Sequence, residues 1–130
     1  MTSRILIADP SKLARTKLRH ALAKEGYHVV ESATGTHAFE VWNSQGVDLL
    51  IAEVNLPLLD GYDLAKSIRR SSEKNSRIPI LFLTSQSDGD AISKGREAGI
   101  TGWIVKPFEP MALMQAIAQV LPVTKPRSRS

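Results

Sequence analysis

Short apolar runs alternate along this chain with longer stretches in which apolar residues recur every three or four positions. The runs at 5–8, 49–54 and 80–84 are nearly all apolar, as strands covered on both faces must be. The run at 27–31 (YHVVE) alternates instead, and 103–105 (WIV) is short. Between them the spacing predicts helices. Pro10 and Ser11 suit a helix start, Leu13, Leu18, Ala21 and Leu22 follow at helical spacing, and Gly26 closes the element. A second helix over 35–45 carries Ala38, Phe39, Val41 and Trp42 and stops at Gly46. Phe39 and Trp42 read as core. Helices over 62–70, 88–98 and 110–121 follow Asp60-Gly61, precede Gly99 and open on Pro110, respectively.

Five strands alternating with five helices predict an α/β domain, a (βα)5 parallel sheet with helices on both faces. The nearly all-apolar strands belong in the centre and the alternating and short ones at the edges. That gives a doubly wound sheet of order 2-1-3-4-5, with its switch point between strands one and three.

Ligands of such sheets bind beyond the carboxyl ends of the strands at that point. The residues falling there are Asp9, Glu53, Thr84 and Lys106. Strand ends commonly turn polar, so each alone says little. Two carboxylates, a hydroxyl and an ammonium in one crevice suit a cation or a phosphate-like group.

Charge alters this picture little. Seventeen basic residues face thirteen acids, for a net charge of +4. Lys125, Arg127 and Arg129 lie in 123–130, which reads as a basic flexible tail or linker start beyond a domain over 1–122. Without them the body is nearly neutral. The first helix carries Lys12, Arg15, Lys17, Arg19 and Lys24 without interleaved aromatics, so it reads as a solvated face, and no nucleic-acid binding is expected. The chain has no cysteine, hence no disulfide and no thiolate metal site. Its apolar runs are too short to span a membrane, and its first residues do not read as a signal peptide. A soluble cytoplasmic protein with no membrane contact is expected.

At this point the residues resemble the receiver domain of bacterial response regulators. ILIADPS (5–11), VDLLIAEVNLPLLDG (47–61), IPILFLTS (78–85) and GWIVKPFEP (102–110) carry the likeness, together with Arg15, Leu18, Leu22 and Gly26-Tyr27. The resemblance runs from about 4 to 121. It implies a flavodoxin-like fold, a role in two-component phosphorelay signalling and a sensor histidine kinase as partner. By resemblance Asp9 is the first acid of a Mg²⁺-binding pair, Glu53 holds the phosphoacceptor position and the Asn55 backbone carbonyl is a third metal ligand. Thr84 and Lys106 are phosphoryl contacts by the same resemblance, and Trp103 is the switch aromatic. No catalytic residue or enzymatic role is assigned.

Two departures change the expected chemistry. Pro10 stands where the second acid belongs, and Glu53 replaces the acceptor aspartate, lengthening the side chain by roughly 1.3–1.5 Å. Phosphoryl transfer depends on positioning, and an error of about 1 Å can cost ~10²-fold. Losing a carboxylate also weakens the hold on a cation that needs near-octahedral oxygen geometry. The expectation is therefore an atypical, phosphorylation-independent pseudo-receiver with weak Mg²⁺ binding or none, in which Glu53 pairs with Lys106 near Thr84.

Such a domain signals through a protein partner or a second copy. The last helix offers a face without charge: Ala112, Gln115, Ala118 and Gln119 lie opposite Leu113, Ile117, Val120 and Leu121. With Trp103, whose bulk is expected to keep it outward, these residues predict an interface on the fourth helix, fifth strand and fifth helix. Two alternatives stand: a conventional receiver phosphorylated by a histidine kinase with Mg²⁺, and a small-molecule-binding flavodoxin-like domain. No glycine-rich phosphate loop follows the first strand, which weighs against the latter.

Overall fold

The computed structural model describes residues 2–72 and 74–121. The boundary at 122 and the basic segment 123–130 lie outside the described residues. The elements run β1 (Arg4–Ala8), α1 (Lys12–Lys24), β2 (His28–Ser32), α2 (Gly35–Gln45), β3 (Leu49–Ala52) and α3 (Gly61–Arg70). They continue with β4 (Ile80–Thr84), α4 (Gly89–Ala98), β5 (Gly102–Val105) and α5 (Pro110–Val120). A 3-10 turn over Lys74–Arg77, which no apolar period signals, leads into β4.

All strand pairs are parallel and the order is β2-β1-β3-β4-β5. The alternation of side chains along each strand divides the core in two. Ile5, Ile7, Leu49, Ile51, Leu81 and Leu83 meet Leu18, Leu22, Leu113 and Ile117 of α1 and α5. Leu6, Leu50, Ile80 and Phe82 meet Trp42, Leu64 and Ile68 on the other face. Trp42 is fully buried, and the half-buried Phe39 packs on it with ring centroids 5.4 Å apart.

Each of the five α-helices opens on a side-chain acceptor at its N-cap: Ser11, Thr34, Asp60, Asp88 and Glu109. These acceptors satisfy amide groups that a first helical turn leaves unpaired. Gly46 and Gly99 end α2 and α4 at positive φ, which costs a glycine little.

Gly61 fixes the position of the β3–α3 loop. Its N–H donates to the Val54 carbonyl at 2.8 Å. A Cβ there would lie 2.8 Å from the Glu53 carbonyl oxygen and 2.9 Å from Val54 Cα. Both are backbone atoms with little room to retreat. Gly61→Ala is expected to destabilise the fold by about 1–3 kcal/mol. Its urea midpoint should fall accordingly; an unchanged midpoint would contradict the close approach.

Candidate functional site

Register brings the polar residues together. Ala8 is level with both Ser32 and Ala52, so the next residues along β1 and β3, Asp9 and Glu53, emerge side by side. The Glu53 N–H donates to the Ala8 carbonyl at 2.9 Å and the Lys106 N–H to the Thr84 carbonyl at 2.8 Å. Asp9, Glu53 and Thr84 are all buried, at 6%, 8% and 0% exposure. Such groups must be paired to be tolerated.

Their pairing is complete. Lys106 Nζ donates to Asp9 Oδ2 at 2.7 Å and to Glu53 Oε1 at 3.0 Å. Thr84 Oγ1 donates to Glu53 Oε2 at 2.6 Å, and the Asn55 N–H donates to the same oxygen at 3.0 Å. The Ser11 N–H closes the set on Asp9 Oδ1 at 2.8 Å. All four carboxylate oxygens therefore accept from groups of the chain itself. Sequence reasoning pairs Lys106 with Glu53 alone; the second carboxylate on the same ammonium follows from the β1–β3 register.

Burial pushes the Glu53 carboxyl toward higher pKa, but Thr84, Asn55 and Lys106 outweigh it and hold the group below its usual value. Burial likewise works against the Lys106 ammonium, and hydrogen bonds and charge from Asp9 and Glu53 outweigh it, raising its pKa. Glu53 thus contributes stability above the ordinary carboxylate range, and that contribution is lost as pH falls through its lowered pKa. The Lys106 contribution is complete below the ordinary lysine range and is lost as pH rises through its raised pKa. The cluster is strongest across neutral pH.

The family resemblance implies a Mg²⁺ here, and the donor set present is smaller than the family pattern by one carboxylate. Mg²⁺ takes octahedral oxygen ligands, several of them waters, and is held by one or two carboxylates of the protein. Pro10 supplies no carboxylate, and a cation would have to share Asp9 and Glu53 with Lys106, whose ammonium lies 2.7 and 3.0 Å from them.

From Glu53 the contacts continue toward the sheet edge. The Gln86 N–H reaches Thr84 Oγ1 at 3.4 Å, and its side-chain amide reaches Asn55 Oδ1 at 3.4 Å. The Gln86 carbonyl accepts from Trp103 Nε1 at 2.9 Å. Trp103 is half-buried and packs edge-on to Phe82, with centroids 5.6 Å apart, and a Cβ at Gly95 would lie 2.9 Å from its Cζ3. The expectation that its bulk keeps it outward is therefore corrected. Gly95 has no side chain where the ring lies, and the indole N–H finds an acceptor that a phenyl ring could not use. Ala112, Gln115, Ala118 and Gln119 are all exposed on α5.

The basic face of α1 is only partly solvated. Arg15 and Arg19 both grip Glu31 of β2, at 3.0 and 2.6 Å, and Arg15 also donates to the Asp9 carbonyl at 2.7 Å. Sequence reasoning missed this clamp. The acid closing the alternating run at 27–31 was its only signal.

Lys106→Met would leave two carboxylates facing each other. Breaking a buried pair costs about 3–5 kcal/mol; with Lys106 a quarter exposed, about 2 kcal/mol is expected at pH 7. The deficit should shrink as pH falls through the Glu53 titration, and the Glu53 carboxyl should titrate at higher pH than in the parent. Urea midpoints across acid pH and carboxyl-carbon NMR check this; a pH-independent deficit would contradict it.

The comparisons with known proteins agree with this architecture. The family model described as "Response regulator receiver domain" matches residues 5–118. Chemotaxis protein CheY of Pseudomonas aeruginosa is 30% identical over 118 residues, covering 90% of this chain and 94% of that protein. Transcriptional regulatory protein AfsQ1 of Streptomyces coelicolor is 32% identical over 121 residues, covering 93% of this chain and 52% of its own length. The chain spans about half the length of this and other curated transcriptional regulators that it matches. Among solved structures, chemotaxis protein CheY4 of Vibrio cholerae superposes with a TM-score of 0.87 at 32% identity, covering 93% of this chain and all of that one. The receiver domain of sensor histidine kinase PA1611 from Pseudomonas aeruginosa, solved with a magnesium ion coordinated in its active-site cleft, gives 0.84 at 26% identity, covering 92% and 98%. No helix among the described residues is long and apolar enough to cross a membrane. With the strand order, the rim residues and the match over 5–118, the chain belongs to the response regulator receiver domain family.

Proposed function

We propose that this receiver works without phosphorylation, as a cytoplasmic pseudo-receiver whose own Glu53 sets its signalling state. The observation that carries the reading is the full engagement of Glu53 and Asp9 by Lys106, Thr84, Asn55 and Ser11. A nucleophile must present a free oxygen in line with the phosphoryl donor, and Glu53 Oε2 accepts two hydrogen bonds while Oε1 pairs with Lys106. Lys106 and Thr84, the residue types that would hold phosphoryl oxygens, hold the carboxylate instead. One negative charge stands where a phosphoaspartate would carry nearly two, so the state is set by an internal ion pair of lower charge. The role is one of protein binding, with no enzymatic turnover.

Output then rests on which surface the domain presents. The face of α4, β5 and α5 combines an open sheet edge, Val105 at 45% exposure and the uncharged Ala112, Gln115, Ala118 and Gln119. Few charges must be desolvated to cover it, which suits a protein partner or a second copy. Trp103 contributes the part of its ring left exposed and holds the β4–α4 loop through Gln86.

Intact mass after incubation with a small acyl phosphate and Mg²⁺ tests the first claim. The parent should keep its mass, while Pro10→Asp/Glu53→Asp should gain one phosphoryl group. A stoichiometric gain by the parent, abolished in Glu53→Gln, would overturn the reading. For the surface, Ala112→Glu/Gln119→Glu should change stability by no more than about 0.5 kcal/mol per site while reducing self-association or partner capture. Sedimentation velocity and pull-down read this, and binding undiminished by both charges places the interface elsewhere.

A further inference from the structure

The end of the sheet opposite the Glu53 rim holds a cavity of about 470 Å³ with two opposite charges that do not meet. It lies where β1 and β2 begin and α2 ends, and Arg4, His28, Gln45 and Asp48 are among its walls. Arg4 and Asp48 are neighbours at the starts of β1 and β3. The Asp48 N–H donates to the Arg4 carbonyl at 2.8 Å, and the Arg4 N–H donates to Asp48 Oδ2 at 2.7 Å. Their side chains nonetheless form no ion pair among the described residues. The guanidinium turns instead to the end of α2, where Nη1 donates to the Gln45 carbonyl at 3.1 Å and the Gly46 carbonyl at 3.2 Å.

Both charged groups are thereby fixed without being neutralised. The last carbonyls of a helix lack partners within it, so their hold on Nη1 satisfies the helix end and orients the guanidinium plane. Nε and Nη2 stay unengaged among the described residues, and their N–H groups form the fork that takes a carboxylate through two parallel bonds. Asp48 Oδ2 is held by a neutral amide, which leaves Oδ1 as a free acceptor. Charge then decides what fits. A dianion such as phosphate meets the Asp48 carboxylate and the negative end of α2. A simple cation meets Arg4. An apolar ligand finds Val47 as the one apolar side chain of the lining.

We propose that this cavity binds a free α-amino acid with an uncharged polar side chain. Its carboxylate lies on the Arg4 fork and its ammonium on Asp48 Oδ1, with its side chain among the exposed Thr2, His28 and Gln45. Small-molecule sites usually enclose ~300 to ~1,000 Å³, so the volume suffices. The bound zwitterion ties β1 and β3 to the end of α2 and stabilises the domain. The site needs nothing from the Glu53 network and stands whichever way that network signals.

The probe is L-glutamine at about 10 mM. N-acetyl-L-glutamine, which lacks the ammonium, and L-glutaminamide, which lacks the carboxylate, serve as comparisons. L-glutamine should shift the Arg4 Nε–H and His28 ring resonances and leave the Trp103 indole unmoved. Each comparison compound should bind roughly tenfold more weakly. Asp48→Asn keeps an acceptor for the Arg4 N–H and removes the charge. It should weaken L-glutamine roughly tenfold and leave N-acetyl-L-glutamine unchanged, so that the two bind alike, with a thermal midpoint near the parent value. Arg4→Lys keeps the charge and removes the fork, and should weaken both carboxylates while sparing L-glutaminamide. The proposal fails if the Arg4 and His28 resonances stay still, or if either comparison compound binds as well as L-glutamine. It fails equally if inorganic phosphate moves the same resonances as far, which would make the cavity a plain anion site.

Discussion

One ammonium group shared by two buried carboxylates organises the rim of this sheet. Lys106 reaches Asp9 and Glu53 because β1 and β3 end level with one another, β4 runs two residues further to Thr84, and β5 ends level with Thr84 beside the same crevice. Neither acid would be tolerated at under a tenth exposed without such a partner. With Lys106 in place, Glu53 can take the Thr84 hydroxyl and the Asn55 amide on its other oxygen. Thr84 and Asn55 then meet Gln86, and Gln86 fixes the Trp103 indole. The side chains that would change place in a phosphorylated receiver are here joined into one network whose only cation is the lysine.

The extra methylene of Glu53 makes this arrangement workable. It lets one oxygen face Lys106 while the other reaches Thr84 and the loop amide, so the carboxylate spans space a shorter acid would leave to a ligand. Pro10 acts in the same direction by withholding a second acid that would compete for the ammonium. In the reading proposed above the two departures act together, one removing a carboxylate and the other placing an internal acceptor against Lys106 and Thr84.

Much of this was legible in the chain. Apolar runs marked β1, β3 and β4 as central, the alternating 27–31 and the short 103–105 marked the edges, and Gly46 and Gly99 ended α2 and α4 as expected. Less legible was whatever depends on distances between elements. Asp9 as a second partner of Lys106 needs the exact β1–β3 register, and the Arg15 and Arg19 clamp on Glu31 needs α1 laid against β2. Trp103 turned inward because Gly95 leaves space beside α4, a neighbour eight residues away that no local pattern connects to it. The cavity beside the end of α2 is likewise a product of packing, since Arg4 and Asp48 read singly as ordinary charged residues at strand starts.

The central claim is that the Glu53 carboxylate, with no phosphoryl group, holds Thr84, Gln86 and Trp103 in their present arrangement. The indole N–H resonance of Trp103 reports on that arrangement directly, because its acceptor is the Gln86 carbonyl. Replacing Glu53 by glutamine keeps the size of the side chain and removes its charge. The account predicts that in Glu53→Gln this resonance moves and broadens and that its hydrogen exchange accelerates relative to the parent at neutral pH. An indole signal with unchanged position, width and exchange rate would contradict the account, because Trp103 would then be held without reference to Glu53.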